Sequence, residues 1–157
     1  MFFSKKQICL PAVCVGKTVP LSEMPDEAFA SGMLGVGYAI EPADGQFYSP
    51  VNGRVESVAE AKHAYTVTTD EGLDVLIHIG VDTVTLGGAG FVPEVKEGDR
   101  VRVGEPLAHA DLELIREKGL STVTAVLVAN PEKIEHTELK YGAASTRDAV
   151  MCFRLKK

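Results

Sequence analysis

"KHAYTVTTDEGLDVLIHIGVDTV", residues 62–84, is two alternating runs separated by Asp70-Glu71-Gly72. Side chains alternate between the faces of a strand, so Val75, Ile77 and Ile79 form one apolar row while Leu76, His78 and Gly80 face the other way. Two β-rich runs joined by a short glycine-containing turn read as a hairpin. With the turn centred near Glu71, residues equidistant from it face each other, which brings 63 and 78 opposite to within one residue. Cross-strand neighbours hold their Cβ atoms about 4.5–5.5 Å apart. His63 and His78 are therefore expected to converge on one small ligand.

The same pattern extends outward. "GQFYSPVNGRVESVAE" (45–60) places Pro50 and Asn52-Gly53 as a turn ahead of Val55 and Val58, and "EVKEGDRVRVGEPLAHAD" (94–111) sets Gly98-Asp99 and Gly104 around Val101 and Val103. "STVTAVLVANP" (121–131) and "DAVMCFRLK" (148–156) supply late strands. Two short helices interrupt them. "DLELIREKG" (111–119) has Asp111 as cap and Gly119 as stop, and "PDEAFASG" (25–32) runs from Pro25 to Gly32. The fold class is all-β with short helical segments, and the chain is expected to be one domain, 1–157, with residues 1–8 flexible.

Composition narrows the function. A content of 45% apolar and 24% charged residues suits a globular domain with its own core, and a net charge of −6 disfavours a binder of phosphate backbones, which needs clustered Lys and Arg. No nucleic-acid partner is expected. Cys9, Cys14 and Cys152 are odd in number and lack a CxxC spacing, so neither a disulfide framework nor a thiolate metal site is favoured, and a reducing cytoplasm fits. No run approaches the roughly 18 apolar residues that span a bilayer, so no direct membrane insertion is expected.

An imidazole is largely neutral near pH 7, nucleophilic, and a good leaving group once bonded to phosphorus. Two of them on one face suit reversible carriage of a phosphoryl group: one accepts it while the other donates N–H to its oxygens. Gly80, on the His78 face, leaves room for a partner or marks a bend. Asp82 either orients an imidazole or forms a turn. His109 and His136 lie in polar surroundings and read as surface residues.

At these residues the chain resembles the glucose-type enzyme IIA of the bacterial phosphoenolpyruvate-dependent sugar phosphotransferase system. "HIGVDTV" (78–84) and "KHAYTV" (62–67) carry the resemblance, with "MPDEAF", "SPVNGRV", "LGGAGF", "EGDRVRVGEPL" and "NPEKI" around them in family order. It implies an antiparallel β-sandwich, or barrel-sandwich hybrid, with two histidines in a shallow apolar depression. It further implies that His78 accepts a phosphoryl group from the carrier protein HPr and passes it to a cysteine of a IIB domain. His63 would hold the phosphate, and Val36, Leu76 and Val84 would contact partners. No cofactor or metal is required, although His63 and His78 can bind zinc with a partner's carboxylate.

Three departures stand out. The family often has Thr where this chain has Ala61, a hydroxyl that fixes the tautomer of the first histidine. Its common Gly-Asp-Gly is Gly35-Val36-Gly37 here, which removes an acidic group near the site. The aromatic residue after the second histidine is Ile79. Two alternatives remain: a regulatory module that binds transporters or kinases through the histidine face, and a zinc hydrolase using the His78-x-x-x-Asp82 spacing. The hydrolase needs a further His-x-His for a third ligand, and "HAD" (109–111) does not supply it.

Overall fold

The computed structural model describes residues 7–156. An antiparallel eight-stranded sheet runs in the order Gly142–Ala144 (β13), Gly16–Pro20 (β2), Val36–Pro42 (β3), Thr124–Val128 (β11), Asp74–His78 (β7), Ala64–Thr69 (β6), Gly53–Val58 (β5) and Arg100–Val101 (β9). Two three-stranded sheets accompany it. One is Gln7–Pro11 (β1), Ala149–Leu155 (β14) and Ile134–Leu139 (β12); the other is Gln46–Tyr48 (β4), Pro106–Ala110 (β10) and Phe91–Pro93 (β8). The architecture is the expected antiparallel β-sandwich, with two short α-helices among the described residues, Glu27–Ala30 (α1) and Leu112–Glu117 (α2).

Alternation explains how the large sheet divides the interior. Val75, Ile77 and Ile79 are fully buried in a main core that draws on residues from Leu10 to Phe153. Each such side chain contributes about 1.5–3 kcal/mol when removed from water, so the register of β7 is strongly fixed. On the other face, Leu76 packs beside a smaller cluster of Leu21, Met24, Phe29, Ala39, Val81, Ala125 and Leu127. This second cluster forms the floor beneath His78.

The caps follow the sequence. Asp26 accepts from the amides of Ala28 and Phe29 at the start of α1, and Asp111 accepts from Leu114 N at the start of α2. Gly119 closes the second helix at φ +74°, a conformation that glycine adopts without steric cost.

Of residues 1–8, expected to be flexible, Gln7 and Ile8 pair with Arg154 and Phe153 in the β1–β14 ladder, and residues 1–6 lie outside the described residues. Cys9 and Cys152 form a disulfide, where spacing had argued against one. The two residues stand 143 positions apart, and only the meeting of the first and last described strands places them directly opposite, with Cα atoms 4.1 Å apart. Cys14 is free and buried.

Candidate functional site: a histidine pair on the second face

The hairpin forms as its turn predicted. Ala64 pairs with His78, Thr66 with Leu76 and Thr68 with Asp74, a register centred on Glu71. His63 is the next residue out, and its carbonyl accepts from Ile79 N at 2.8 Å. The ladder thus continues past the last strand residues and holds both histidines at the same end. Their ring centroids are 4.8 Å apart and the rings stand nearly perpendicular, at 88°.

His78 is anchored from behind. Its Nδ1–H donates to the carbonyl of Gly80 at 2.9 Å, which leaves the Nε2 lone pair free for chemistry. That contact requires the chain to fold back within two residues. Gly80 does so at φ +77°, and a Cβ there would lie 2.5 Å from Thr83 Cγ2 and 2.9 Å from Ser121 O. Gly80 is buried, so it does not open room for a partner; it aims a carbonyl. Thr83, also buried, locks the turn by donating its hydroxyl to Ile79 O. Phe29 of α1 completes the setting, its ring centroid 4.8 Å from that of His78.

Burial pushes the pKa of His78 below that of a free imidazole, against the opposing pull of the Gly80 hydrogen bond and of the Asp26 and Asp82 carboxylates. His63 is lowered as well, first by burial and then by the proximity of His78. Both rings are thereby kept neutral at pH 7, the form that a nucleophile needs.

His63 is 7% exposed, and its Nδ1 has no hydrogen-bond partner among the described residues. With Ala61 preceding it by two residues, no hydroxyl is available there. A buried N–H without an acceptor is costlier than a bare lone pair, so the proton belongs on Nε2. Asp82 sits at φ +60°, is exposed, and opens a 3-10 turn in which its backbone carbonyl accepts from Thr85. It acts on His78 through charge, not by hydrogen bonding.

The surrounding apolar residues sort by face. Leu76 lies on the histidine side and is half-buried, and Val84 is exposed in the 3-10 turn Thr83–Leu86 that follows. Val36 does not lie on that side. It pairs with Val128, which pairs with Val75, so its side chain shares their face and packs on the main core. Its candidacy as a contact is withdrawn on that geometry. Met33 and Leu34, in the segment before β3 where Gly35 lies against Leu127, are exposed. Asp26 and Phe29 escaped the sequence reading, which took 25–32 as a short helix and "MPDEAF" as a motif of the resemblance, without a role at the site. His109 and His136 are both exposed, as expected.

The family model for the phosphoenolpyruvate-dependent sugar phosphotransferase system, EIIA 1, matches residues 8–134. The chain belongs to this family. It is 46% identical over 136 residues to a PTS system glucose-specific EIIA component of Halalkalibacterium halodurans, covering 83% of this chain and 79% of that protein. It is 41% identical over 137 residues to a PTS system beta-glucoside-specific EIIBCA component of Bacillus subtilis, covering 87% of this chain but 22% of that longer protein. The fold matches the glucose permease IIA from Mycoplasma capricolum with a TM-score of 0.90 and 33% identity, over 97% of this chain and 99% of that one.

EIIA chains of this family serve phosphoryl transfer in sugar uptake, and the resemblance drawn from the hairpin motifs holds along the chain. The fused Bacillus subtilis relative, named EIIBCA, carries its EIIA part in one polypeptide with EIIB and EIIC, which supports a IIB partner for this EIIA. Among the described residues, no helix is long and apolar enough to cross a membrane, and no cluster of three or more His, Cys, Asp or Glu is arranged to hold a metal ion.

Proposed function

We propose that this EIIA chain is a cytoplasmic phosphohistidine carrier, with Nε2 of His78 as the acceptor atom. The observation that carries the reading is the Nδ1–H bond from His78 to the Gly80 carbonyl. It selects the tautomer whose free lone pair sits on Nε2, beside His63.

In the first transfer, the Nε2 lone pair attacks phosphorus on the phosphohistidine of HPr; the N–P bond on HPr breaks, and its electron pair returns to the donor imidazole. Positioning and electrostatics supply most of the rate, as in other phosphoryl transfers. The positive charge that develops on the His78 ring is stabilised through Nδ1–H by the Gly80 carbonyl and by the Asp26 and Asp82 carboxylates. In the second transfer, a cysteine thiolate of IIB attacks the same phosphorus and His78 leaves neutral. His63, protonated on Nε2, donates to the phosphoryl oxygens and holds them between the two steps.

Both protein partners must reach His78. Leu76 and Phe29 supply apolar surface beside His78, and exposed Val84, six residues further along the chain, is assigned to the apolar surround that a macromolecular donor and acceptor require. The reading is tested by labelling with phosphoenolpyruvate, enzyme I and HPr. Acid-labile label is expected on wild type, absent in His78→Ala and retained in His63→Gln; label that persists in folded His78→Ala overturns it.

A further inference from the structure

We propose that Cys9 and Cys152 form a reversible, thiol-responsive latch that fastens the N-terminal strand β1 to β14. The pair is separate from the histidine site. It lies in a three-stranded sheet, whereas His63 and His78 stand at the end of the eight-stranded one.

Three features support a switch over a fixed crosslink. The first is access: Cys9 is exposed and Cys152 half-buried, so small thiols and disulfides can reach the pair. Cys14, by contrast, is buried, and burial pushes its thiol up to about 12, which excludes it from exchange. The redox chemistry is thereby confined to two sulfurs. The second is pre-organisation. The ladder alone sets Cys9 opposite Cys152, with Gln7, Ile8 and Leu10 paired on either side, so the two thiols stay neighbours after reduction. The third is topology. Among the described residues β1 is an edge strand paired with β14 alone, and its register breaks between Leu10 and Pro11, where proline has no N–H to offer. The disulfide is thus a covalent tie added to a strand that is otherwise held by one ladder and its core-facing side chains. Beside β1 lies a cavity of about 310 Å³ whose wall joins Ile8, Leu10 and Phe153 to the polar Asn52, Asp70 and Glu71.

The oxidant is a low-molecular-weight disulfide. The Cys9 thiolate attacks one of its sulfurs, the S–S bond breaks and one small thiol leaves; Cys152, as thiolate, then attacks Cys9 Sγ and displaces the second. Two protein thiols are oxidised, one small disulfide is reduced to two thiols, and the two protons pass to the leaving thiolates. Exposed Cys9 is the entry point, because the Glu138 residue paired with Cys152 places negative charge against an anion there.

The test uses the full chain equilibrated with reduced or with oxidised glutathione, then denatured and alkylated for intact mass. Oxidised protein is expected to show one alkylated thiol, Cys14, and reduced protein three. Closing so long a loop should raise the melting temperature on oxidation by on the order of 10 °C. Cys9→Ser and Cys152→Ser should each abolish that shift and melt with reduced wild type. N-terminal cleavage in limited proteolysis should slow at least tenfold on oxidation, without change in phosphoryl uptake. Any of three results overturns the proposal: three thiols after oxidation, coincident melts of the two forms, or native protein that millimolar reduced glutathione fails to open.

Discussion

Gly80→Ala tests the local geometry on which the site depends. The substitution carries two costs that can be separated. At φ +77° an L-residue is disfavoured by about 1–2 kcal/mol. The new methyl would also stand 2.5 Å from Thr83 Cγ2 and 2.9 Å from the Ser121 carbonyl, one buried side chain and one backbone atom. Neither is the free end of a flexible chain, so overpacking adds about 1–3 kcal/mol. The sum is about 3 kcal/mol, read as a loss of unfolding free energy in urea. Gly119→Ala is the matched control: its φ is +74°, and nothing lies within 4 Å of the added Cβ, so only the backbone cost of about 1–2 kcal/mol should appear. Moving residue 80 also withdraws the acceptor from His78 Nδ1. A hydrogen bond worth about 1.4 kcal/mol in the transition state corresponds to a tenfold slower phosphorylation by phospho-HPr, measured by rapid quench at a temperature where the variant is folded. Equal destabilisation by the two alanines would refute the steric argument. Destabilisation with an unchanged rate would refute the carbonyl's role in orienting His78.

Other outcomes follow from the same site. His63→Gln should take up phosphate at near wild-type rate but deliver it to IIB on the order of 100-fold more slowly, the usual effect of losing one preorganised donor; unchanged delivery in a single-turnover assay removes His63 from the mechanism. Ala61→Thr should give the unpartnered Nδ1 of His63 a hydroxyl and raise stability by about 1 kcal/mol; nitrogen NMR of the ring should show Nδ1 newly hydrogen-bonded, and an unaltered Nδ1 signal counts against the assignment. Both histidines have pKa values lowered on folding, so the folded state binds fewer protons than the unfolded one below about pH 6.5. Stability is therefore fully retained above that value and lost as pH falls through the lowered folded values. Urea titrations from pH 7 to 5 should show this loss, reduced in a variant with both histidines replaced by Gln, and an equal slope in the double variant would contradict it.

The hairpin was legible because period, turn and chemistry coincide in one stretch. The alternation Val75-Ile77-Ile79 fixes which face His78 takes, and the Glu71 turn fixes the residue opposite. Both are local, and no other part of the chain has to be known. Val36 shows where that legibility ends. Its place beside a glycine-rich motif suggested the site, but its face is set by pairing with β11, more than eighty residues away, and that pairing turns it to the core. The same motif suggested that the acidic group near the nucleophile had been lost. The structure supplies charge from Asp82, a candidate already in the sequence, and from Asp26, placed by a helix cap whose distance to His78 no spacing encodes. For Gly80 the sequence left space and bend both open, and the bend is decided by Thr83 and Ser121, which come from the segments after it. Cys9 and Cys152 make the same point at the largest separation. What a strand shows of itself is its two faces; what lies on each face is decided by strands that sequence order does not place together, so residues acting through the hairpin were found and those acting across the sheet were not.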